Sequence, residues 1–313
     1  MASRFGAILT VFELAFAKLM IRSGPSRQPA LLILILLGCL IVVPCWAQTP
    51  SKALIRVPVA NLFSGPSADT DVVSQAIYAS EVSVLEEKED FTHVRTPDSY
   101  TGWIRNQDLL QQPDASLRPF AQVRSLSANL YLEPDVTQHA PVLTVPFETH
   151  LEIIPQPPPE NEDYLHIRLL DQRDAWIDRG DVELNPRPLT IPESIELAKR
   201  FVGITYTWGG GSSFGFDCSG FTQMLVRSRG IVMPRDADLQ ATWSGVAPVE
   251  RKHLKPGDLL FFGKSPADIT HTGMYIGKDH FIHDTTNGHP GVQISRLKDP
   301  PWTRLLAGAR RVK

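Results

Sequence analysis

Phe216-Asp217-Cys218-Ser219-Gly220-Phe221, continued by Thr222-Gln223-Met224-Leu225-Val226-Arg227-Ser228-Arg229-Gly230, reads as a helix with a thiol in its first turn. Asp217 is a good N-cap, Phe221, Met224 and Leu225 recur at helical spacing on one face, and Gly230 supplies a stop. A cysteine there feels the positive end of the helix dipole, which favours thiolate over thiol and sharpens it as a nucleophile. The competing reading is a small packed hydrophobe, the commoner fate of a free cysteine. The stretch by itself leaves both open.

The chain around it has 313 residues, room for two or three domains. Hydrophobic content of 42% against 21% charged residues belongs to a globular chain, and a net charge of -3 argues against a nucleic-acid partner. The N-terminal segment stands apart. Lys18, Arg22 and Arg27 precede an apolar run from Ala30 to Val43, and Cys45-Trp46-Ala47 ends in a small residue, the layout of a secretory signal over residues 1–47. The run is shorter than the roughly 20 residues a spanning helix needs. An uncleaved anchor is the alternative, since Leu40 to Trp46 prolongs the apolar character; lipidation at Cys39 is a weaker one, and Met20 is a second possible start. The expectation is export to the periplasm or cell envelope, with membrane contact only through this segment if it stays attached. Cys39 and Cys45 would leave with the leader. Cys218 would then be a lone thiol with no disulfide partner, which tilts it toward reactivity.

Between Ala53 and Leu184 the chain repeats. Ala60-Asn61-Leu62 matches Ala128-Asn129-Leu130 at an offset of 68, while Phe91-Thr92-His93-Val94-Arg95 and Trp103-Ile104 match Tyr164-Leu165-His166-Ile167-Arg168 and Trp176-Ile177 at 73. The extra residues fall in a loop around Pro157-Pro158-Pro159-Glu160-Asn161, where insertions are tolerated, so two copies of one small β domain are expected. His93 and His166 hold equivalent places and are expected to be structural. Ala60-Asn61-Leu62-Phe63-Ser64-Gly65-Pro66-Ser67 with Gly102-Trp103-Ile104 resembles bacterial SH3 domains; the second copy is looser, with Leu132-Glu133-Pro134 in place of Ser64-Gly65-Pro66.

After the linker Asn185-Pro186-Arg187-Pro188, Ile191-Pro192-Glu193 opens a helix. Gly209-Gly210-Gly211 lacks the lysine and spacing of a phosphate loop, and is read as backbone that passes close to a substrate. Met233-Pro234-Arg235-Asp236-Ala237 turns into a second helix through Leu239, Gln240 and Trp243. Strands are expected at Asp258-Leu259-Leu260-Phe261-Phe262, His271 to Ile276, Phe281 to Asp284, Val292 to Ile294 and Leu305 to Arg310, an α+β domain. His271 and His283 can lie at one end of the sheet, given a bend or bulge near His271, with the cysteine helix against them. That supplies nucleophile, base and orienter. His280 and His289 fall in turns and read as surface residues.

Here the residues resemble a family. From Ile191 to Lys313 the chain is similar to the NlpC/P60 cell-wall cysteine peptidases, on Tyr206-Thr207-Trp208-Gly209-Gly210, Asp217-Cys218-Ser219-Gly220-Phe221, Pro234-Arg235-Asp236, Lys255-Pro256-Gly257-Asp258, His271-Thr272-Gly273 and Phe281-Ile282-His283, with 53 residues from Cys218 to His271 and 12 more to His283. The resemblance implies a papain-like domain over 190–313, preceded by two SH3-like barrels over 53–112 and 118–186. It implies catalytic Cys218, His271 and His283, with Tyr206 supporting the oxyanion. With two such barrels in front, the chain is similar to γ-D-glutamyl-L-diamino acid endopeptidases. That implies cleavage of peptidoglycan stem peptides bearing a free N-terminal L-Ala, bound by Asp217, Ser219 and Tyr100. Two departures stand out: Ala237 where some relatives carry serine, and no acidic residue around Phe63-Ser64-Gly65.

The expected partners are peptidoglycan or muropeptides, and the expected state is a monomer without metal or organic cofactor. Three other readings are weighed: an amidase or acyltransferase with the same triad, a wall-binding protein with an inactive papain-like domain, and a zinc site on Cys218, His271 and His283.

Overall fold

Short segments with period-two burial build most of the chain. In Phe91–Arg95, Thr92 and Val94 point inward while Arg95 is exposed, as the pleat requires. The computed structural model describes residues 51–111, 119–155 and 163–313. The expected leader with Cys39 and Cys45, and the loop at Pro157, lie outside the described residues.

β1 (Lys52–Ile55), β2 (Val59–Phe63), β3 (Val72–Ile77), β4 (Glu81–Lys88), β5 (Phe91–Arg95), β6 (Thr101–Arg105) and β7 (Leu109–Gln111) form one antiparallel sheet in the order β3-β2-β6-β5-β4-β1-β7. It curls around Ile55, Leu62, Val94 and Ile104, all fully buried. A second sheet has the equivalent order, β10-β9-β13-β12-β11-β8-β14, from β8 (Phe120–Val123), β9 (Ser127–Tyr131), β10 (Leu143–Pro146), β11 (His150–Ile153), β12 (Tyr164–Arg168), β13 (Asp174–Asp178) and β14 (Val182–Leu184). The repeat extends to side chains. His93 faces Trp103 across the ladder with rings stacked at 4.9 Å, and His166 faces Trp176 at 4.4 Å. It also extends to one hairpin. Between β5 and β6, Thr96 N–H donates to Tyr100 O and Ser99 N–H to Thr96 O; between β12 and β13, Leu169 N–H donates to Arg173 O and Gln172 N–H to Leu169 O. Ser99 and Gln172 both sit at φ +69°.

The third body begins at α1 (Ile191–Arg200), opened by a capping box of Thr190 and Glu193. Next come a two-residue ribbon of β15 (Gly211–Ser212) and β16 (Gly215–Phe216), α2 (Cys218–Arg227) and α3 (Ala237–Thr242). A six-stranded antiparallel sheet follows in the order β17-β22-β18-β19-β20-β21. It is made of β17 (Val246–Pro248), β18 (Leu259–Ser265), β19 (Asp268–Gly277), β20 (His280–Thr285), β21 (Gly291–Arg296) and β22 (Leu306–Val312), with α4 (Trp302–Leu305) before the last strand. One face, with Phe261, Met274 and Ile282, packs on α1 and α2 through Phe201, Phe221 and Leu225; the other buries Phe262, Phe281 and Trp302. No helix among the described residues is long and apolar enough to cross a membrane.

The three bodies are joined by specific bonds. Leu170 N–H in the second hairpin donates to the Tyr78 hydroxyl of the first barrel at 2.8 Å. Gln223 Nε2 of α2 donates to Asp98 Oδ2 in the first hairpin at 2.7 Å, and Arg227 pairs with Glu148 of the second barrel at 2.6 Å. The glycine run is closely packed by protein backbone. A Cβ at Gly209 would lie 2.5 Å from the Val72 carbonyl oxygen, and one at Gly210 would lie 2.5 Å from that of Gly215. These glycines let the loop press against the first barrel and its own ribbon.

Candidate active site

α2 begins where expected. Asp217 caps it, accepting the Gly220 N–H at 2.7 Å, and Cys218 is its first residue, 8% exposed. The backbone N–H of Thr272 on β19 bonds the thiol, setting the sulfur beside the residue that follows His271. Burial pushes the Cys218 thiol up to about 12, and the Asp217 charge adds to this; the Thr272 and Ser219 amides and the Arg235 guanidinium pull the other way. Burial thus works against the ready-made thiolate that the helix start suggests.

His271 and His283 meet. His271 Nε2 lies 2.8 Å from His283 Nδ1, and His283 Nε2 lies 2.9 Å from Ser295 Oγ on β21. The irregularity expected near His271 lies on the β18 side of β19, where Phe262 pairs with His271 but Gly263 with Ile269, skipping Thr270. On the β20 side Met274 pairs with Ile282, and a second irregularity lies between Tyr275 and Gly277. Two steps along the same register, His271 and Gly273 share a face, with Gly273 opposite His283. A Cβ at Gly273 would come 2.8 Å from that of His283, so only glycine leaves the two imidazoles room to approach. Trp302 closes the group, stacking on His271 at 5.2 Å and lying edge-on to His283 at 4.7 Å. Burial lowers the His271 pKa to about 4, and burial together with His271 carries His283 well below its ordinary value. With Nδ1 on His271 and Nε2 on Ser295, His283 has no free ring nitrogen. That arrangement suits an orienter and opposes a zinc ligand.

Arg235 organises the other side. It is 2% exposed, and each of its five N–H groups has an acceptor. Nη1 reaches Asp217 Oδ1 at 3.0 Å and Ser219 Oγ at 2.8 Å; Nη2 reaches Asp217 Oδ2 at 2.7 Å and Gly210 O at 3.1 Å; Nε reaches Ser74 Oγ of the first barrel at 3.1 Å. Asp217 thus has its charge matched within the protein, and the Ser219 hydroxyl is taken up in the same network. Tyr100, at the end of the first hairpin, donates its hydroxyl to Asp236; burial, more than the Asp236 charge, raises its pKa to about 12. Tyr206 forms a parallel bridge with Phe216 and lies within the fields of Cys218, Asp217 and Asp284. Burial first, and its coupling to these acidic groups next, hold it as a phenol, hence a hydrogen-bond donor.

His280 and His289 stand apart from this cluster. His280 is half-buried at the first position of β20, with Nδ1 on Lys278 O, and His289 is exposed. Sequence reasoning missed Ser295, Gly273 and Trp302 as parts of the site. A signal existed only for Gly273, a glycine within an otherwise apolar strand.

The NlpC/P60 family model matches residues 203–311, and a bacterial SH3 domain model matches residues 58–110, within the first barrel. The chain is 33% identical over 258 residues to the γ-D-glutamyl-L-lysine dipeptidyl-peptidase of Bacillus cereus, covering 76% of this chain and 74% of that one. With the enzyme of the same name from Bacillus subtilis the identity is 26%, covering 79% and 83%. A crystal structure of an NlpC/P60 family protein from Bacillus cereus superposes with a TM-score of 0.73 at 28% identity, over 84% of this chain and 99% of that chain.

Proposed function

The chain belongs to the NlpC/P60 family of cysteine peptidases, and on that premise we propose that it cleaves the γ-D-glutamyl to L-diamino acid bond of peptidoglycan stem peptides. The observation that carries this reading is the Ser295–His283–His271 chain, together with the bond from the Thr272 N–H, next in sequence to His271, to the Cys218 thiol at the head of α2. His283 fixes the His271 ring through Nε2 and leaves Nδ1 to take the proton from Cys218 as sulfur attacks the γ-carbonyl. The carbonyl oxygen becomes an oxyanion facing the Tyr206 phenol. Collapse breaks the C–N bond, and the departing α-amine takes the proton from His271. Water then attacks the thioester, giving a proton to His271 that returns to sulfur, and L-Ala-γ-D-Glu leaves as the carboxylate.

On the substrate side, Tyr100 and its partner Asp236 supply a hydroxyl and negative charge for an N-terminal ammonium, beside Asp217 in its pair with Arg235. Ser219 contributes by holding Arg235. The second barrel, given its equivalent strand order, is a second SH3-like domain; both barrels brace the cleft of an exported, monomeric envelope enzyme.

Two measurements test this. Incubation with L-Ala-γ-D-Glu-diaminopimelate and, separately, intact sacculi is expected to release L-Ala-γ-D-Glu and free diamino acid from the tripeptide, read by mass spectrometry; cleavage only at another bond, or none, overturns the proposal. The pH profile is the second. His271 must be neutral to accept a proton, so activity holds above its lowered pKa and falls as pH drops through about 4, roughly tenfold per unit below that point. An acid limb near 6.5, the ordinary imidazole value, would contradict the burial of the base.

A further inference from the structure

α4 is only four residues long, yet it delivers Trp302, 6% exposed, against both histidines. The indole stacks on His271 at 5.2 Å with 29° between the planes, and meets His283 at 4.7 Å and 90°. Phe262, which pairs with His271 across the β18–β19 ladder, lies 5.6 Å from the same imidazole. Phe281 lies 4.4 Å from His283 and 5.4 Å from the indole. On this side the two imidazoles are bounded by three aromatic rings, in a cluster completed by Leu260, Leu297 and Ala309.

Those neighbours pose an electrostatic problem. When Cys218 gives up its proton, His271 becomes an imidazolium, and an aliphatic wall offers a cation nothing in return for lost water. The thiolate is a counter-ion only until sulfur attacks, when the negative charge moves to the oxyanion. From α2 the Asp217 charge favours the imidazolium, but that carboxylate is already paired with Arg235. From β20, His283 brings a hydrogen bond and no negative charge. Tyr275 on β19 borders the cluster with its hydroxyl accepting the Asp279 N–H, and Arg304 of α4 is exposed. An indole face is different. Its π-electrons attract a cation lying within about 6 Å of the ring centre, tryptophan more strongly than tyrosine or phenylalanine, and His271 is inside that distance.

We propose that Trp302 is a positioning residue for the base: its ring face holds the His271 imidazole in place and stabilises the imidazolium that forms as the Cys218 proton arrives. The S–H bond breaks, the proton binds the free ring nitrogen of His271, and the other nitrogen stays bonded to His283, so the new charge spreads over a ring already lying on the indole. Trp302 thereby offsets part of the cost that the surrounding apolar cluster imposes on a charged base, which an aliphatic residue of similar bulk would not do.

This inference rests on the thiol chemistry proposed above, so its variants are read both with and without substrate, in the full chain. Trp302→Phe keeps a ring face, whereas Trp302→Leu is apolar without one. Both remove bulk from the cluster, so both should melt below the wild type by similar amounts. Turnover separates them. Trp302→Leu should lower kcat on L-Ala-γ-D-Glu-diaminopimelate about tenfold at pH 7 with KM within about twofold, and Trp302→Phe should regain most of that loss. Iodoacetamide labelling of Cys218 at pH 7 without substrate should slow in parallel. The pH profile identifies the cause. A base that has lost a stabilising face takes up its proton at lower pH, so kcat/KM at pH 4, relative to pH 7, should rise from about half in the wild type to about nine tenths in Trp302→Leu. A tryptophan that only excludes water predicts the reverse, an acid limb moving up toward about 6.5. That reversal, or equal losses of turnover in the two variants, overturns the inference. Trp302→Met replaces the leucine variant if leucine does not fold. Failure of the peptidase reading shows differently: the wild type then releases no product from the tripeptide, while the labelling contrast between the variants persists.

Discussion

Cys218→Ala is expected to lower cleavage of L-Ala-γ-D-Glu-diaminopimelate by roughly six orders of magnitude, a size set by other enzymes in which the nucleophile alone is removed. The fold should survive. Cys218 is small, its neighbours include the amides of Thr272 and Ser219, and alanine fits the same space, so a stability change of about 1 kcal/mol is expected. Parallel thermal melts and product assays check both halves. Turnover retained in a folded Cys218→Ala chain would remove the thiol from the mechanism. Loss of turnover with loss of folding would leave the chemistry unread, and in that case Cys218→Ser, closer in shape and still hydrogen-bonding, replaces it.

Arg235→Met should have the largest effect on stability. Methionine fills much of the aliphatic volume but abandons five hydrogen bonds, leaving Asp217 charged and only 13% exposed in its side chain, with Ser74, Ser219 and Gly210 each short of a partner. Removing one member of a buried ion pair costs about 3–5 kcal/mol, or roughly 10 °C in melting temperature for a chain of this size. Turnover should fall as well, because the same carboxylate caps α2 and so sets the direction of Cys218. Arg235→Lys should recover little, since one ammonium cannot reach acceptors spread over a planar fork. A melting temperature within 2 °C of wild type for Arg235→Met would show that the network is ornamental.

Much of this was legible in the chain. The offset of 73 between Phe91–Arg95 and Tyr164–Arg168 carried the duplicated sheet, because both barrels keep apolar residues on alternate positions and the same histidine opposite the same tryptophan. Cys218 announced itself through a local pattern, a cap followed by an apolar helical face. His271 and His283 lay on consecutive strands, so their proximity was within reach. What escaped depends on long-range register. Ser295 is an ordinary strand residue until pairing of β20 with β21 turns it toward His283. Trp302 reaches the histidines from a four-residue helix beyond the end of that ladder. The close packing of the glycine run on the Val72 and Gly215 carbonyls also depends on tertiary contacts that no short window shows. The thiol was expected to be acidic from its helix position alone; burial, which no short window of sequence reveals, reverses the balance.

The twin hairpins share one backbone, with φ +69° at Ser99 and Gln172, yet face different neighbours. In the first barrel the turn carries Asp98 to α2 and Tyr100 to Asp236; in the second it reaches back to Tyr78 of the first barrel. A single turn geometry thus serves as a strut to the thiol helix in one place and as a latch between barrels in the other, so a side-chain change in the first turn bears on the site while one in the second bears on the seam between the barrels.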